Sequence, residues 1–265
     1  MKKHLVIGNP IEHSLSPTIH NYWMKKYNLI DSIYEKKKKK EKVLKNIIED
    51  VREEKICGAN VTVPFKKLII PFVDKLTSVA AEAQSVNTIY KYKNKIIGDN
   101  TDIEGFERAL KFINFESKNK TVFILGAGGV ALSIILALKR LGVKKIFLSN
   151  RTKKEPQILK KNFKELEIIE WGKSPQFDLI INATSLGLNQ HDVIELQYET
   201  FGNNKVFYDV IYNPAKTNFL KNGTKKGNIT ENGKMMFIYQ AQLSFKIWTN
   251  IMPEIDNEVI KLLDL

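Results

Sequence analysis

The fold of this chain is decided by residues 121–152, which read TVFILGAGGVALSIILALKRLGVKKIFLSNRT. Residues 121–125 form a short apolar run rich in β-formers, which predicts a buried parallel strand. The segment GAGG at residues 126–129 then removes side chains where a backbone must turn tightly and approach a ligand. Residues 130–140 predict a packed helix that ends near Gly142, and residues 145–149 predict a second strand. Strand, glycine turn, helix and strand in this order are typical of a dinucleotide-binding unit, whose helix N-terminus offers unpaired N–H groups to a pyrophosphate.

Two other interpretations of this stretch compete with a nucleotide site. Residues 121–138 carry no charge, as in a transmembrane helix, but three glycines after a strand-like opening disfavour a membrane span. The second interpretation is a glycine turn that binds no ligand, and it remains open because a lone G-x-G-G-x-A pattern is weakly specific for nucleotide binding. The end of the second strand favours a ligand, and it reads Asn150, Arg151, Thr152, Lys153. Cationic residues there, in place of the acidic residue of an NAD site, suit a 2′-phosphate and predict NADP.

The composition is that of a globular protein with a strong positive charge. The 265 residues are enough for one or two domains, and the formal net charge is +13. The lysines are scattered and form no aromatic–basic stripe, so we expect no nucleic-acid partner and a basic field that steers anionic small molecules. The lysine run at residues 36–40 is expected to be a solvated lead-in to an amphipathic helix over about residues 41–53.

Cysteine and histidine usage narrows the chemistry. The single cysteine, Cys57, excludes an internal disulfide and lies in an apolar context that predicts a core position. The four histidines show no metal-ligand spacing with one another, so no metal site is predicted. The apolar run before Gly8 is too short for a signal peptide, and we expect a cytoplasmic protein without membrane association.

Polar side chains collect where predicted strands end. Strand and helix signals alternate before residue 102, which indicates a first α/β domain, and ligands of such sheets bind outside the carboxyl ends of strands. The polar residues at these ends are Ser14, Ser16, Asn60, Thr62, Lys66, Asn87, Asn100, Asp102, Thr184 and Tyr212. Taken singly, Lys66 is explained as a solvated lysine, and Asp102 and Ser16 as helix caps. Together, one ammonium, one carboxylate and a ring of amides and hydroxyls suit a small polyhydroxy acid and proton transfer coupled to hydride transfer.

A family resemblance covers residues 7–248. The motifs that carry it are, in chain order, HSLSPTIHN, GANVTVPFK, SVNT, GDNTD, GAGGVA, NRT, NATSLG, DVIYNPAKT and YQA. With them the chain resembles the shikimate dehydrogenases. The resemblance implies reversible NADPH-dependent reduction of 3-dehydroshikimate to shikimate, on the route to chorismate and the aromatic amino acids. It implies two α/β domains with a cleft between them. One is an N-terminal substrate domain over residues 1–102, completed by C-terminal helices over residues 236–265. The other is a Rossmann-type NADP-binding domain with a parallel sheet over residues 103–235.

The matching motifs also carry roles for individual residues. By resemblance, Lys66 is the catalytic acid/base with Asp102, and Ser14 and Ser16 hold the substrate carboxylate. The residues expected at the substrate ring are Asn60, Thr62, Asn87 and Asp102, completed by Tyr212 and Gln240. The residues expected at NADP are Gly126, Ala127, Gly128, Gly129, Val130, Asn150, Arg151, Thr152, Lys153, Thr184, Val210 and Gly233. The expected partner is a small-molecule substrate, and the expected oligomeric state is a monomer or homodimer.

The chain departs from the family pattern at three places. Ile103 follows Asp102 where the family usually has glycine, Met235 replaces the second glycine of a G-x-G-M stretch, and Ser78 stands near a position often carrying a carboxylate. Two other functions remain open. A quinate/shikimate dehydrogenase of broader specificity is disfavoured by Arg151 and the serine pair, and a non-catalytic NADP-binding regulator is disfavoured by Lys66 and Asp102.

Overall fold

The chain folds into two compact units. The computed structural model describes residues 1–38 and 44–264. Unit 1 comprises Met1–Gly105 and Ile238–Asp264, and unit 2 comprises Phe106–Phe237. The C-terminal segment therefore belongs to the unit that contains the N-terminus. Within the described ranges, none of the helices is long and apolar enough to cross a membrane.

Unit 1 is built on a mixed six-stranded sheet. Its strands are β1 Lys2–Gly8, β2 Ser32–Lys38, β3 Gly58–Val61, β4 Lys75–Leu76, β5 Thr88–Tyr92 and β6 Lys95–Asp99. They are ordered β2-β1-β3-β5-β6-β4, with β5 antiparallel to both β3 and β6 and the other pairs parallel. The start of β5 therefore lies at the same end of the sheet as the carboxyl ends of β3 and β6. This end of the sheet, called the polar edge below, collects the polar residues of the candidate site.

Helices of unit 1 bury their apolar stripes against this sheet. The first five α-helices of the described residues are α1 Ser16–Lys26, α2 Leu44–Arg52, α3 Phe65–Leu68, α4 Ser78–Ala83 and α5 Asp102–Phe112. In α2 the residues Leu44, Ile47, Ile48 and Val51 are all buried, as the i, i+3, i+4, i+7 spacing requires. Helix α5 contains Gly105, at which the chain leaves unit 1.

Unit 2 contains a six-stranded sheet in which every pair is parallel. Its strands are β7 Thr121–Leu125, β8 Lys145–Ser149, β9 Glu167–Ile169, β10 Leu179–Asn182, β11 Val206–Asp209 and β12 Ile229–Glu231. The order β12-β11-β10-β7-β8-β9 is the 3-2-1-4-5-6 arrangement of dinucleotide-binding folds. The predicted α/β class with a Rossmann-type parallel sheet is confirmed, and the strand order reverses between β7 and β10.

The remaining helices complete both units. They are α6 Ala131–Arg140, α7 Lys154–Asn162, α8 Asn218–Lys225, α9 Lys234–Thr249 and α10 Asn257–Leu262. The membrane-span interpretation of residues 121–138 is wrong, because β7, the glycine turn and α6 divide them. Helix α9 is anchored in unit 1 by Trp248, whose Nε1–H donates to the Ile89 carbonyl at 3.1 Å. A Cβ on Gly58 would lie 2.2 Å from Trp248 Nε1, so this approach requires glycine.

The lysine run at residues 36–40 differs from its expected role. Lys36–Lys38 are the last residues of β2, which pairs along its whole length with β1 at the edge of the sheet. Charged side chains on an edge strand discourage further strand pairing, so lysines are compatible with this position. Residues 39–43, and with them the expected start of the helix at residue 41, lie outside the described residues. Cys57 is half-buried rather than a core residue.

Candidate active site

A lysine–carboxylate pair lies at the polar edge of the unit 1 sheet. Lys66 is the second residue of α3, which Phe65 anchors in the core, and Asp102 is the first residue of α5. The Lys66 Nζ donates to Asp102 Oδ2 at 2.6 Å, and the two side chains are 13% and 6% exposed. The Asn100 side-chain oxygen accepts the Asp102 N–H at 3.0 Å and so caps the start of α5. The pair is therefore largely desolvated and held on two helix starts.

Asn87 fixes the second oxygen of that carboxylate. Its Nδ2 donates to Asp102 Oδ1 at 2.9 Å, while its Oδ1 accepts the Thr101 N–H at 2.9 Å. Asn87 precedes β5 and does not follow a strand, so its expected location at a strand carboxyl end is wrong. Because β5 pairs antiparallel with β3 and β6, Asn87 at its start still lies at the polar edge, next to the carboxyl ends of those two strands. Both oxygens of Asp102 are consequently oriented, one by an amide and one by an ammonium.

Asn60 is bonded entirely within the unit. Its Oδ1 accepts the Tyr34 hydroxyl at 2.7 Å, and its Nδ2 lies 3.1 Å from the Asn87 carbonyl and 3.0 Å from Ser244 Oγ. Because an amide has two N–H donors and an oxygen with two acceptor sites, these contacts use both donors and one acceptor site. Asn60 thus holds the backbone of Asn87 in place through a hydrogen bond to its carbonyl. Thr62, two residues later, is half-buried next to Gly8.

Ser14 and Ser16 form a pair at the start of α1. Ser14 Oγ donates to Ser16 Oγ at 3.2 Å and accepts the Ser16 N–H at 3.3 Å. The interpretation of Ser16 as the helix cap is wrong: Ser16 is the first helical residue, Leu15 occupies the cap position, and no side chain caps there. Because Ser14 holds a backbone N–H instead, Ser16 has no capping role that would explain its hydroxyl.

The two remaining substrate candidates lie in different units. Gln240 is half-buried on α9 in unit 1, and its carbonyl accepts the Ser244 hydroxyl at 3.1 Å. Tyr212 follows β11 in unit 2, where its ring stacks on Phe237 with centroids 4.4 Å apart. The structure also shows two supporting residues that the sequence did not indicate, Thr101 and Ser244. Both carry hydroxyls bonded into the Asn60–Asn87 network.

The glycine turn of unit 2 leaves space for a ligand. Gly126 has φ +103°, and a Cβ there would lie 2.8 Å from the Ala183 carbonyl oxygen, so packing explains this glycine. A Cβ on Gly128 or Gly129 would meet no atom of the described part of the chain within 4 Å, so packing does not explain those two glycines. Helix α6 begins directly after the turn, and its cap residue Val130 provides no side-chain hydrogen bond. Open glycines before an uncapped helix start fit the pyrophosphate of a dinucleotide.

The end of β8 carries the residues expected at the 2′-phosphate. Asn150 Oδ1 accepts the Ala127 N–H at 3.0 Å, and its Nδ2 donates to Thr152 Oγ1 at 2.9 Å. Asn150 thereby links the glycine turn to this strand end. Arg151, Thr152 and Lys153 are exposed, and Thr152 donates its hydroxyl to the Glu155 carboxylate, which lowers the pKa of Glu155. Two exposed cationic side chains at this place fit a phosphate monoester better than a free ribose hydroxyl.

The other cofactor candidates follow β10 and β11 or precede α9. Thr184 donates its hydroxyl to Asn182 Oδ1 at 2.7 Å. A Cβ on Gly233 would lie 2.1 Å from the Val210 carbonyl oxygen, so the segment before α9 packs directly on the backbone after β11. These residues lie near the carboxyl ends of β10 and β11, next to the point where the strand order reverses, which is where such folds bind nucleotides.

Comparisons with known proteins agree with this architecture. Residues 6–89 match a family model described as the shikimate dehydrogenase substrate binding domain, and residues 107–209 match one described as shikimate / quinate 5-dehydrogenase. The chain is 58% identical over 264 residues to a shikimate dehydrogenase (NADP(+)) of Pelagibacter ubique, covering 100% of this chain and 99% of the relative. It is 38% identical to the Caldicellulosiruptor saccharolyticus protein of the same name, covering 95% and 94%.

Solved structures give the same result. The shikimate dehydrogenase of Aquifex aeolicus superposes with a TM-score of 0.89 at 34% identity, covering 99% of this chain and 97% of that one. Shikimate 5-dehydrogenase of Thermus thermophilus, in complex with NADP(H) and shikimate, superposes with a TM-score of 0.89 at 29% identity, covering 100% and 97%.

Proposed function

The chain belongs to the shikimate dehydrogenase family of NADP-dependent oxidoreductases, and on that premise we propose that it catalyses the reversible reduction of 3-dehydroshikimate to shikimate with Lys66 as acid/base. The observation that carries this assignment is the desolvated pair of Lys66 and Asp102, with Asn87 on the second carboxylate oxygen. A proton donor held this firmly next to an oriented acceptor suits general acid–base catalysis.

The proton and the hydride come from different groups. Bound NADPH supplies the hydride to the carbonyl carbon. The Lys66 ammonium donates its proton to the carbonyl oxygen, which becomes the shikimate hydroxyl. In the reverse direction, the neutral Lys66 amine takes this proton from the hydroxyl. Asp102 accepts a hydrogen bond from the substrate and keeps the Lys66 nitrogen in place.

Other residues bind the rest of the substrate. The Ser14 and Ser16 hydroxyls donate to its carboxylate, a bond of the charge-assisted kind. Ring hydroxyls are bound by Thr62, Asn87 and Asp102, and the pocket is completed by Tyr212 and Gln240. We assign Asn60 a positioning role, because its amide is already bonded to Tyr34, Ser244 and the Asn87 carbonyl.

The cofactor lies on unit 2. Its pyrophosphate is held by the backbone of residues 126–130 at the start of α6, and its 2′-phosphate by Asn150, Arg151, Thr152 and Lys153. Thr184, Val210 and Gly233 lie beside the nicotinamide. The functional division into a substrate domain over residues 1–102 and 236–265 and an NADP domain over residues 103–235 is part of this proposal. So are a cytoplasmic location, which suits a chain with a single cysteine, and a monomeric or homodimeric state.

A substrate panel tests the proposal. Initial rates of reduction of NADP⁺ and NAD⁺ are measured with shikimate and with quinate. We expect shikimate with NADP⁺ to be the preferred pair by at least about tenfold in kcat/KM, since Arg151 favours a 2′-phosphate. Comparable kcat/KM values for quinate would favour the broader quinate/shikimate dehydrogenase, a function that the name of the family model for residues 107–209 keeps open. Binding of NADPH without turnover of either acid would favour a regulator.

A further inference from the structure

A buried carboxylate in unit 2 has no part in the chemistry proposed above. Asp209 ends β11 and is 0% exposed. Its Oδ1 accepts hydrogen bonds from Asn182 Nδ2 and from the Ile211 N–H, both at 3.0 Å, and its Oδ2 accepts the Thr217 hydroxyl at 2.7 Å. Among the described residues, these three donors are all neutral. A buried carboxylate held by neutral donors is costly, so its presence calls for a reason.

Through Asn182, Asp209 holds the loop that follows β10. Asn182 Nδ2 donates to the Leu186 carbonyl as well as to Asp209, and its Oδ1 accepts both the N–H and the hydroxyl of Thr184. The intervening Ala183 packs directly against Gly126 of the glycine turn, where a Cβ would lie 2.8 Å from the Ala183 oxygen. The position of this loop therefore also determines how the glycine turn packs.

Through its other two donors, Asp209 holds the loop that follows β11. Its bond to the Ile211 N–H closes the chain around Val210, whose carbonyl packs against Gly233. Its Oδ2 accepts the hydroxyl of Thr217, and the same hydroxyl caps α8 by accepting the Leu220 N–H. One side chain thus ties two loops and a helix start together at the carboxyl end of the parallel sheet.

Stability alone does not account for this carboxylate. Burial raises the pKa of Asp209 from its usual 3.8 to about 6. Because the pKa is higher in the folded than in the unfolded state, ionisation of Asp209 reduces stability as the pH rises from about 4 to about 6, and this loss persists above pH 6. The adjacent Tyr208 stays neutral over this range, since burial raises its pKa. An asparagine of the same shape would avoid the cost.

We propose that Asp209 is a positioning residue for the cofactor: its carboxylate holds the loops after β10 and β11, and so Thr184 and Val210, in the arrangement that binds NADP. The inference rests on the proposed cofactor role of those two residues and requires nothing of Lys66 or of the substrate. Charge matters here because hydrogen bonds to an ionised carboxylate are roughly twice as strong as neutral ones. In Asp209→Asn, moreover, the new amide would face the Thr217 hydroxyl with N–H donors, so that hydroxyl would lose its acceptor.

The test compares cofactor affinity with stability in Asp209→Asn. NADPH is titrated into the substrate-free protein, and its fluorescence gives the Kd. We expect a Kd about 10- to 150-fold higher than in wild type, the factor for a hydrogen bond to a charged group. The Tm at pH 8 should be equal to or above the wild-type value, and any gain should shrink below about pH 6 as Asp209 becomes protonated in the wild type. At saturating NADP⁺, the KM for shikimate should stay within about twofold.

Asn228→Asp is the matched control. Asn228 is 8% exposed and bonds the Lys205 N–H and the Gly202 carbonyl near the amino ends of β11 and β12, the opposite end of the same sheet. It should lower the Tm and leave the Kd for NADPH unchanged. An Asp209→Asn protein with wild-type affinity would overturn the inference. The inference would also be overturned if both Asp209→Asn and Asn228→Asp lost NADPH affinity in proportion to their loss of Tm, because the affinity loss would then follow from instability alone. The NADPH titration needs no turnover, so failure of the shikimate assay would count against the proposed reaction and not against this inference.

Discussion

Replacement of Lys66 by alanine should lower both the catalytic rate and the stability of the protein. General acid–base catalysis by a positioned group is worth roughly 10²–10⁴ in rate, so Lys66→Ala should lower kcat by that factor, or about 3–5.5 kcal/mol of activation free energy. The substitution also leaves Asp102, which is 6% exposed, with Asn87 as the one donor to its carboxylate among the described residues. One lost charge-assisted hydrogen bond corresponds to about 1.5–3 kcal/mol of stability, and the Tm should fall accordingly.

A double-mutant cycle separates the loss of stability in Lys66→Ala from its loss of catalytic rate. Asp102→Asn eliminates the carboxylate that Lys66 neutralises, so Lys66→Ala should cost less stability in the Asp102→Asn background than in the wild type. The control is Lys91→Ala, which breaks the 2.7 Å ion pair with Glu54 in the same unit. It should leave kcat unchanged. Steady-state rates and NADPH affinity are measured for each variant, and affinity should stay within about tenfold of wild type. A Lys66→Ala enzyme that keeps more than about a tenth of wild-type kcat would refute the assignment.

Three further outcomes are expected. Arg151→Ala should weaken the binding of NADPH by about 1.5–3 kcal/mol and leave the binding of NADH nearly unchanged. Equal losses of affinity in parallel titrations with NADPH and NADH would mean that Arg151 does not bind the 2′-phosphate. Ser16→Ala and Ser14→Ala should each raise the KM for shikimate about 10- to 150-fold. Only Ser14→Ala should also lower the Tm, since Ser14 accepts a backbone N–H, and an unchanged KM would remove the pair from the carboxylate site. Burial lowers the pKa of His4 to about 4 and that of His20 well below its usual 6.5. The unfolded state therefore binds protons first, and stability falls as the pH drops from about 6.5 towards 4, by roughly 3 kcal/mol for His4 alone. His20→Phe should flatten this slope in denaturant titrations at several pH values, and an unchanged slope would exclude His20 as a cause.

The nucleotide-binding half was predictable because local signals and topology coincide there. β7, the glycine turn, α6 and β8 follow one another without interruption, and a parallel sheet restricts how such units connect. Helix α7 was not predicted, because its sequence is mostly polar and only Pro156 and Leu159 are buried. The role of Asp209 was not predictable either, because an aspartate at the end of an apolar strand resembles any turn residue until its three hydrogen-bond donors are known.

The substrate half was less predictable because its sheet is mixed. Alternating strands and helices suggest parallel strands, yet β5 runs antiparallel, and Asn87 reaches the polar edge from the start of a strand. Sequence spacing also cannot tell an amide that faces a ligand from one that is bonded inside. Asn60 belongs to the second kind, since its partners Tyr34 and Ser244 are distant in the chain. Likewise, a serine before a proline is typical of a helix cap, but the helix begins one residue earlier than this pattern predicts.

A crystal structure of the protein with shikimate and NADP⁺ would show which side chain reaches the reacting hydroxyl. We expect Lys66 Nζ and an Asp102 carboxylate oxygen both to lie within about 3.2 Å of the same ring hydroxyl, the reach of a general acid or base. The carbon bearing this hydroxyl should face the nicotinamide. Shikimate bound with that hydroxyl against another titratable side chain, and Lys66 still paired only with Asp102, would contradict this expectation.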